Sequence, residues 1–90
     1  MNAQATRFLD VYTVELRADM EKDPAGYCLP FDGEAIRRSA VSTAARMVQH
    51  MVDGITVNVS NAMRRAAKKL GVGSRVRDIH AYCRGEGTQL

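Results

Sequence analysis

Apolar residues return every three to four positions through most of the chain. Phe8, Tyr12, Leu16 and Met20 stand at four-residue steps with Leu9 beside them, which predicts a helix over residues 3–22. Asp23-Pro24-Ala25-Gly26 stops it, because proline lacks a backbone donor and glycine permits a turn. The last turns of this helix carry Asp19 and Glu21, with Asp23 following. Acids at the negative end of the macrodipole are unfavourable, so this end is expected to fray. Tyr27-Cys28-Leu29-Pro30-Phe31 reads as a short apolar link laid across the edge of the core.

Asp32 is placed to cap a second helix over 33–52, with Glu34 in its first turn. Its apolar stripe of Ile36, Ala40, Ala44, Met47, Val48 and Met51 is rich in small residues and lets a neighbour approach closely. After Asp53-Gly54 the period changes. Ile55-Thr56-Val57-Asn58-Val59 alternates apolar and polar, which predicts a short extended segment. Ser60 is placed to cap a third helix over 61–70, which Gly71 ends. Ser74 is placed to cap a fourth over 75–84, closed by Gly85. The expected fold is all-α, a small four-helix domain ending in a helix-turn-helix-like hairpin. At 90 residues the chain is long enough for one domain and one thin core. Within that domain, residues 1–53 form a helical scaffold, 54–85 a second part, and 86–90 a loose tail.

Charge separates these parts. Residues 1–53 hold six basic side chains against eight acids, whereas residues 54–90 hold seven against only Asp78 and Glu86. The formal net charge of +3 therefore conceals an acidic half and a basic half, an asymmetry that points to a polyanionic partner. Projected at about 100° per residue, the third helix places Arg64, Arg65, Lys68 and Lys69 on one side and Ala62, Met63, Ala66, Ala67 and Leu70 on the other. On the fourth, Val76, Ile79, Tyr82 and Cys83 are expected to face inward, with Arg77, His80 and Arg84 along the outer face. Two helices joined by a glycine-containing turn suit a helix-turn-helix, whose second helix enters the major groove. On this reading Arg64, Arg65, Lys68 and Lys69 hold phosphates, and Ser74 with the free N–H groups behind it adds an anion site. Arg75, Arg77 and a neutral His80 would then meet base edges, with Arg84 further along. Strand 55–59 followed by two helices is also the order of a ribbon-helix-helix protein, in which Thr56 and Asn58 would read the groove.

The segment from Val57 to Gly85 resembles a group of small phage and prophage proteins. Their pattern is an N-cap, an Ala-rich basic helix, then K-x-L-G-[IV] followed by apolar residues, Ile and Tyr at fixed steps. Here that is Ala62 to Val72 with Lys68-Lys69-Leu70-Gly71-Val72, then Val76, Ile79 and Tyr82; the upstream Tyr27-x-x-Pro30 is similar as well. The resemblance implies a phage or prophage origin and two functional expectations. One is a DNA-binding transcriptional regulator. The other is a phage-encoded inhibitor, such as an anti-defence or anti-CRISPR protein, whose basic face grips an acidic site on a host complex.

Other chemistry is not indicated. No nucleophile–base–orienter set is visible, so no enzymatic activity is expected. Cys28 and Cys83 lack paired metal-type spacing, and with His50 and His80 they make a poor zinc set; no cofactor is expected. The two cysteines read as reduced thiols, and the early acids Asp10, Glu15 and Asp19 do not suit a secretory leader. No apolar run is long enough to span a membrane. The expected setting is the cytoplasm of a bacterial host, and the expected assembly a homodimer through residues 1–53.

Overall fold

The computed structural model describes residues 1–86 and is all-helical. Four α-helices follow one another: α1 (Ala3–Lys22), α2 (Gly33–Val52), α3 (Asn61–Lys69) and α4 (Val76–Cys83), with a 3-10 turn at Pro24–Tyr27 between the first two. No strand occurs among the described residues. Residues 87–90, most of the expected tail, lie outside them.

α1 and α2 form an antiparallel hairpin, and α3 and α4 are laid on it. α1 is the central element and packs on all the others, whereas α3 and α4 touch each other little. Phe8, Tyr12, Leu16 and Met20 of α1 are all buried, as their spacing requires, and Phe8 lies 5.7 Å from Tyr12 between ring centroids. Against them stand Ala40 and Ala44 of α2 and Ala62, Ala66 and Ala67 of α3, all buried. Small residues here bring the helix axes together, so that Met51, Met63 and Ile79 fill the remaining space.

The expected caps at α2 and α3 are present. Asp32 Oδ1 accepts from the Glu34 N–H at 3.0 Å, and Ser60 Oγ from the Met63 N–H at 3.2 Å. Gly54, Gly71 and Gly85 follow α2, α3 and α4 with positive φ. At α4 the cap differs from expectation. Arg75, not Ser74, is the N-cap, and it makes no side-chain cap bond.

The C-terminal end of α4 is closed by α1. Asn2 caps α1 through Oδ1 to the Ala5 N–H and donates from Nδ2 to the Cys83 carbonyl at 2.9 Å. Gln4 Nε2 donates to the Tyr82 carbonyl at 3.0 Å, and Arg7 Nε to the Tyr82 hydroxyl at 3.2 Å. An eight-residue helix is marginal alone. Here the first turns of α1 satisfy carbonyls that would otherwise be orphaned.

Three local expectations are corrected. α1 continues to Lys22 rather than fraying: the Asp23 N–H bonds the Asp19 carbonyl, and the Asp23 carboxylate turns to cap Gly26. Residues 56–59 alternate, with Val57 and Val59 half-buried and Thr56 and Asn58 exposed, but Ile55 is exposed as well and the segment pairs with no strand among the described residues. On α4 two positions exchange roles: Val76 is exposed, and His80 is buried. The His80 ring holds the irregular segment. Its Nδ1 lies 2.7 Å from the Val76 carbonyl, and its Nε2 accepts from the Val57 N–H at 3.0 Å. A carbonyl only accepts, so Nδ1 donates and Nε2 is left as the acceptor for the Val57 N–H.

Two measurements check this packing. His80→Phe keeps the ring but leaves the Val57 N–H without an acceptor, and should cost about 1–3 kcal/mol in urea unfolding. Its Val57 amide should exchange faster, and His80→Gln should recover part of the loss. Burial pushes the Cys83 thiol up to about 12. Native protein should therefore be alkylated only at exposed Cys28, and unfolded protein at both cysteines.

Candidate polyanion-binding surface

α3 carries its four cations in a two-plus-two arrangement, because α1 places carboxylates beneath one edge. Glu15 is buried on α1, one turn from Tyr12 and next to Leu16. A buried carboxylate stays ionised only when paired. Arg65 Nε donates to Glu15 Oε1 at 2.7 Å, and its Nη2 to Asp19 Oδ1 at 2.7 Å, so one guanidinium spans two acids a helical turn apart. The Lys69 ammonium donates to the other Glu15 oxygen. The Lys69 and Arg65 bonds hold the Glu15 carboxyl below the ordinary carboxylate value near 4.5, against the opposing effect of burial. Asp19 and Glu15 in turn hold the Arg65 guanidinium in its charged form.

The other two cations point away from α1. Arg64 is exposed and donates through Nη1 to the Ser74 carbonyl at 2.5 Å, tying α3 to the loop before α4. Lys68 is exposed and has no acidic partner among the described residues, and the same holds for Arg75 and Arg77. Arg64, Arg65, Lys68, Val72 and Ser74 line an open cleft of about 400 Å³ at the α3–loop junction. Its lining is mostly apolar, to which Val72 and the aliphatic stems of the basic side chains contribute.

The nine residues singled out from the sequence therefore divide. Arg64, Lys68, Ser74, Arg75 and Arg77 are exposed, the first three around the cleft or on its rim. Arg65 and Lys69 are engaged with α1, and Arg84 with Glu86 at 2.7 Å. His80 is a buried structural ligand and not an outer-face residue. The first turn of α4 is not an open anion site either. It carries Asp78, whose carboxylate lies against Gly73 so closely that a side chain there would collide with it. With α3 and α4 both resting on α1, this hairpin lacks the close helix–helix packing expected of a helix-turn-helix. Cys28, His50, His80 and Cys83 are not gathered: among the described residues no three potential metal ligands come together. No helix among the described residues is long and apolar enough to cross a membrane.

Sequence reading missed Glu15 and Asp19, the residues that select which cations remain available. A signal was present in the acids crowding the C-terminal half of α1, against the macrodipole, where an uncompensated charge is unfavourable. Comparison of the chain with family models, curated proteins and solved structures finds no match.

The pairing has a pH signature. A carboxyl held below its unfolded value contributes stability that is present above about pH 4.5 and is lost as pH falls through the folded-state value. Glu15→Gln should be less stable than the parent at neutral pH. The difference should narrow on acidification below about pH 4.5, read from urea midpoints across a pH series.

Proposed function

We propose that the protein binds the phosphate backbone of nucleic acid, duplex DNA in the first instance, through Arg64, Lys68, Arg75 and Arg77. The observation that carries this reading is the division of the basic side chains. Cations needed for the fold are neutralised by α1, whereas these four are exposed and lack acidic partners among the described residues; Arg64 and Lys68 line one cleft, and Arg75 and Arg77 follow Ser74 of its lining in the chain. Clustered cations that cost no intramolecular ion pair to recruit are the chemistry that displaces counterions from a polyphosphate.

Backbone positioning is favoured over base reading. His80 is withdrawn from the surface, and Asp78 places a negative charge in the turn that would approach bases. Both features oppose a recognition-helix role for α4 and leave phosphate contacts as its contribution. A role in regulating transcription, as the resemblance to phage proteins implies, would then draw its sequence preference from DNA shape or from a partner.

A salt titration tests the reading. With four phosphate contacts, log K should fall against log salt with a slope of about −3.6, and Arg64→Ala with Lys68→Ala should flatten it by about 1.8. Lys69→Ala should change the slope less than Lys68→Ala, since Lys69 is held by Glu15. Equal losses on unrelated duplexes are expected from Arg77→Ala. A salt-insensitive partner that survives nuclease treatment, such as an acidic host protein, would replace nucleic acid as the ligand.

A further inference from the structure

Residues 55–59 join α2 to α3 without a turn or bend, and Ile55, Thr56, Val57 and Val59 are β-branched. Such a sequence suits a strand, yet it has no strand partner among the described residues. Its backbone groups fall into two sets. The Ile55 N–H bonds the His50 carbonyl at 2.9 Å and the Val57 N–H bonds His80 Nε2 at 3.0 Å, so both are satisfied within the chain. The N–H and carbonyl groups of Thr56 and Asn58 have no partner among the described residues, and both residues are exposed. Successive residues of an extended chain direct these groups to opposite edges. One edge is therefore held against the fold, and the other is open. None of the usual devices for blunting a free edge is present, since residues 55–59 hold no charge and no proline.

We infer that this open edge pairs antiparallel with the same edge of a second copy of the chain, across a two-fold axis at Val57. The segment selects its own copy because its pattern reads the same in both directions: apolar at 55, 57 and 59, polar at 56 and 58. An axis at Val57 sets Ile55 against the partner's Val59 and Thr56 against the partner's Asn58, like against like on both faces. The hydrogen bonds agree with this register. Thr56 and the partner's Asn58 form a hydrogen-bonded pair, repeated across the axis, which uses the free N–H and carbonyl groups of both residues. Ile55 and Val57 then fall at positions whose N–H groups point away from the partner, where His50 and His80 already hold them. The pairing also covers Ile55, which is 50% exposed and interrupts the alternation of burial in the single chain. Val57 and Val59 already pack on the core, so little backbone has to be ordered on association. The contact is isologous and closes as a dimer. It lies outside residues 1–53, uses none of the four cations assigned to phosphate, and goes beyond the polyanion reading.

Hydrogen exchange and cross-linking test it, both without nucleic acid. Between micromolar and near-millimolar concentration the protein should pass from monomer to a dimer that grows no further in sedimentation equilibrium. Over the same range exchange of the Thr56 and Asn58 amides should slow at least tenfold, whereas that of Ile55 and Val57 should not change. Ile55→Lys, and separately Asn58→Pro, should each weaken association at least tenfold while keeping the parent helical spectrum. Cys83 is buried, so a Cys28→Ser background leaves no exposed thiol. In that background Val57→Cys should oxidise to a linked dimer faster than the more exposed Ile55→Cys. The axis brings the two copies of residue 57 to about 4.5 Å between Cα atoms, within disulfide range, and keeps the two copies of residue 55 about 13 Å apart. A protein that stays monomeric over the whole range overturns the inference, as do Thr56 and Asn58 amides indifferent to concentration. So does an Ile55→Lys variant that associates as the parent does, which would place the contact on another face, or faster linkage through Ile55→Cys, which would place it in another register.

Discussion

Glu15 is a charged side chain on the helix that touches every other helix, and it is buried. A carboxylate in that position must be neutralised or compensated, and its compensation comes from α3, 50 residues later in the chain. Two cations are drawn down onto it, Arg65 and Lys69, and Arg65 reaches on to Asp19. That requirement sets how α3 lies across α1. The apolar stripe of Ala62, Met63, Ala66 and Ala67 decides which side faces inward, and the Glu15 pairings fix the rotation at its edge. They also determine the surface: neutralising one pair of cations leaves Arg64 and Lys68 directed outward.

The acids at the end of α1 are explained by the same requirement. Considered on one helix, Asp19, Glu21 and Asp23 oppose the macrodipole. In the folded chain Asp19 serves Arg65, Glu21 pairs with Arg17 at 3.6 Å, and Asp23 caps the next turn. Only the first of these depends on a distant residue. A local rule treated all three as a defect because their partners include one that periodicity cannot see.

The helices and their inward faces were legible because each is specified by local repetition. Four-residue steps marked Phe8 to Met20, and oxygen-bearing caps marked the starts of α2 and α3. Failures fell where a side chain acts across the fold. His80 sits among Arg77 and Arg84 in sequence and reads as polar, but the irregular segment before α3 has a backbone donor at Val57 that needs an acceptor, and the ring supplies it. Val76, apolar and in register, lies at the first turn of a short helix where no neighbour covers it. The basic surface was half legible for a related reason. Counting cations locates a patch, but which of them are free depends on carboxylates from another element.

The described residues extend 40 Å along their longest axis and only 22 and 20 Å across, and acids and cations meet where α3 crosses the second half of α1. At physiological ionic strength the Debye length is about 8 Å. Charges at separate ends of such a molecule are therefore screened from one another and act as independent surfaces. Intramolecular neutralisation is confined to pairs in direct contact, such as Arg65 with Glu15.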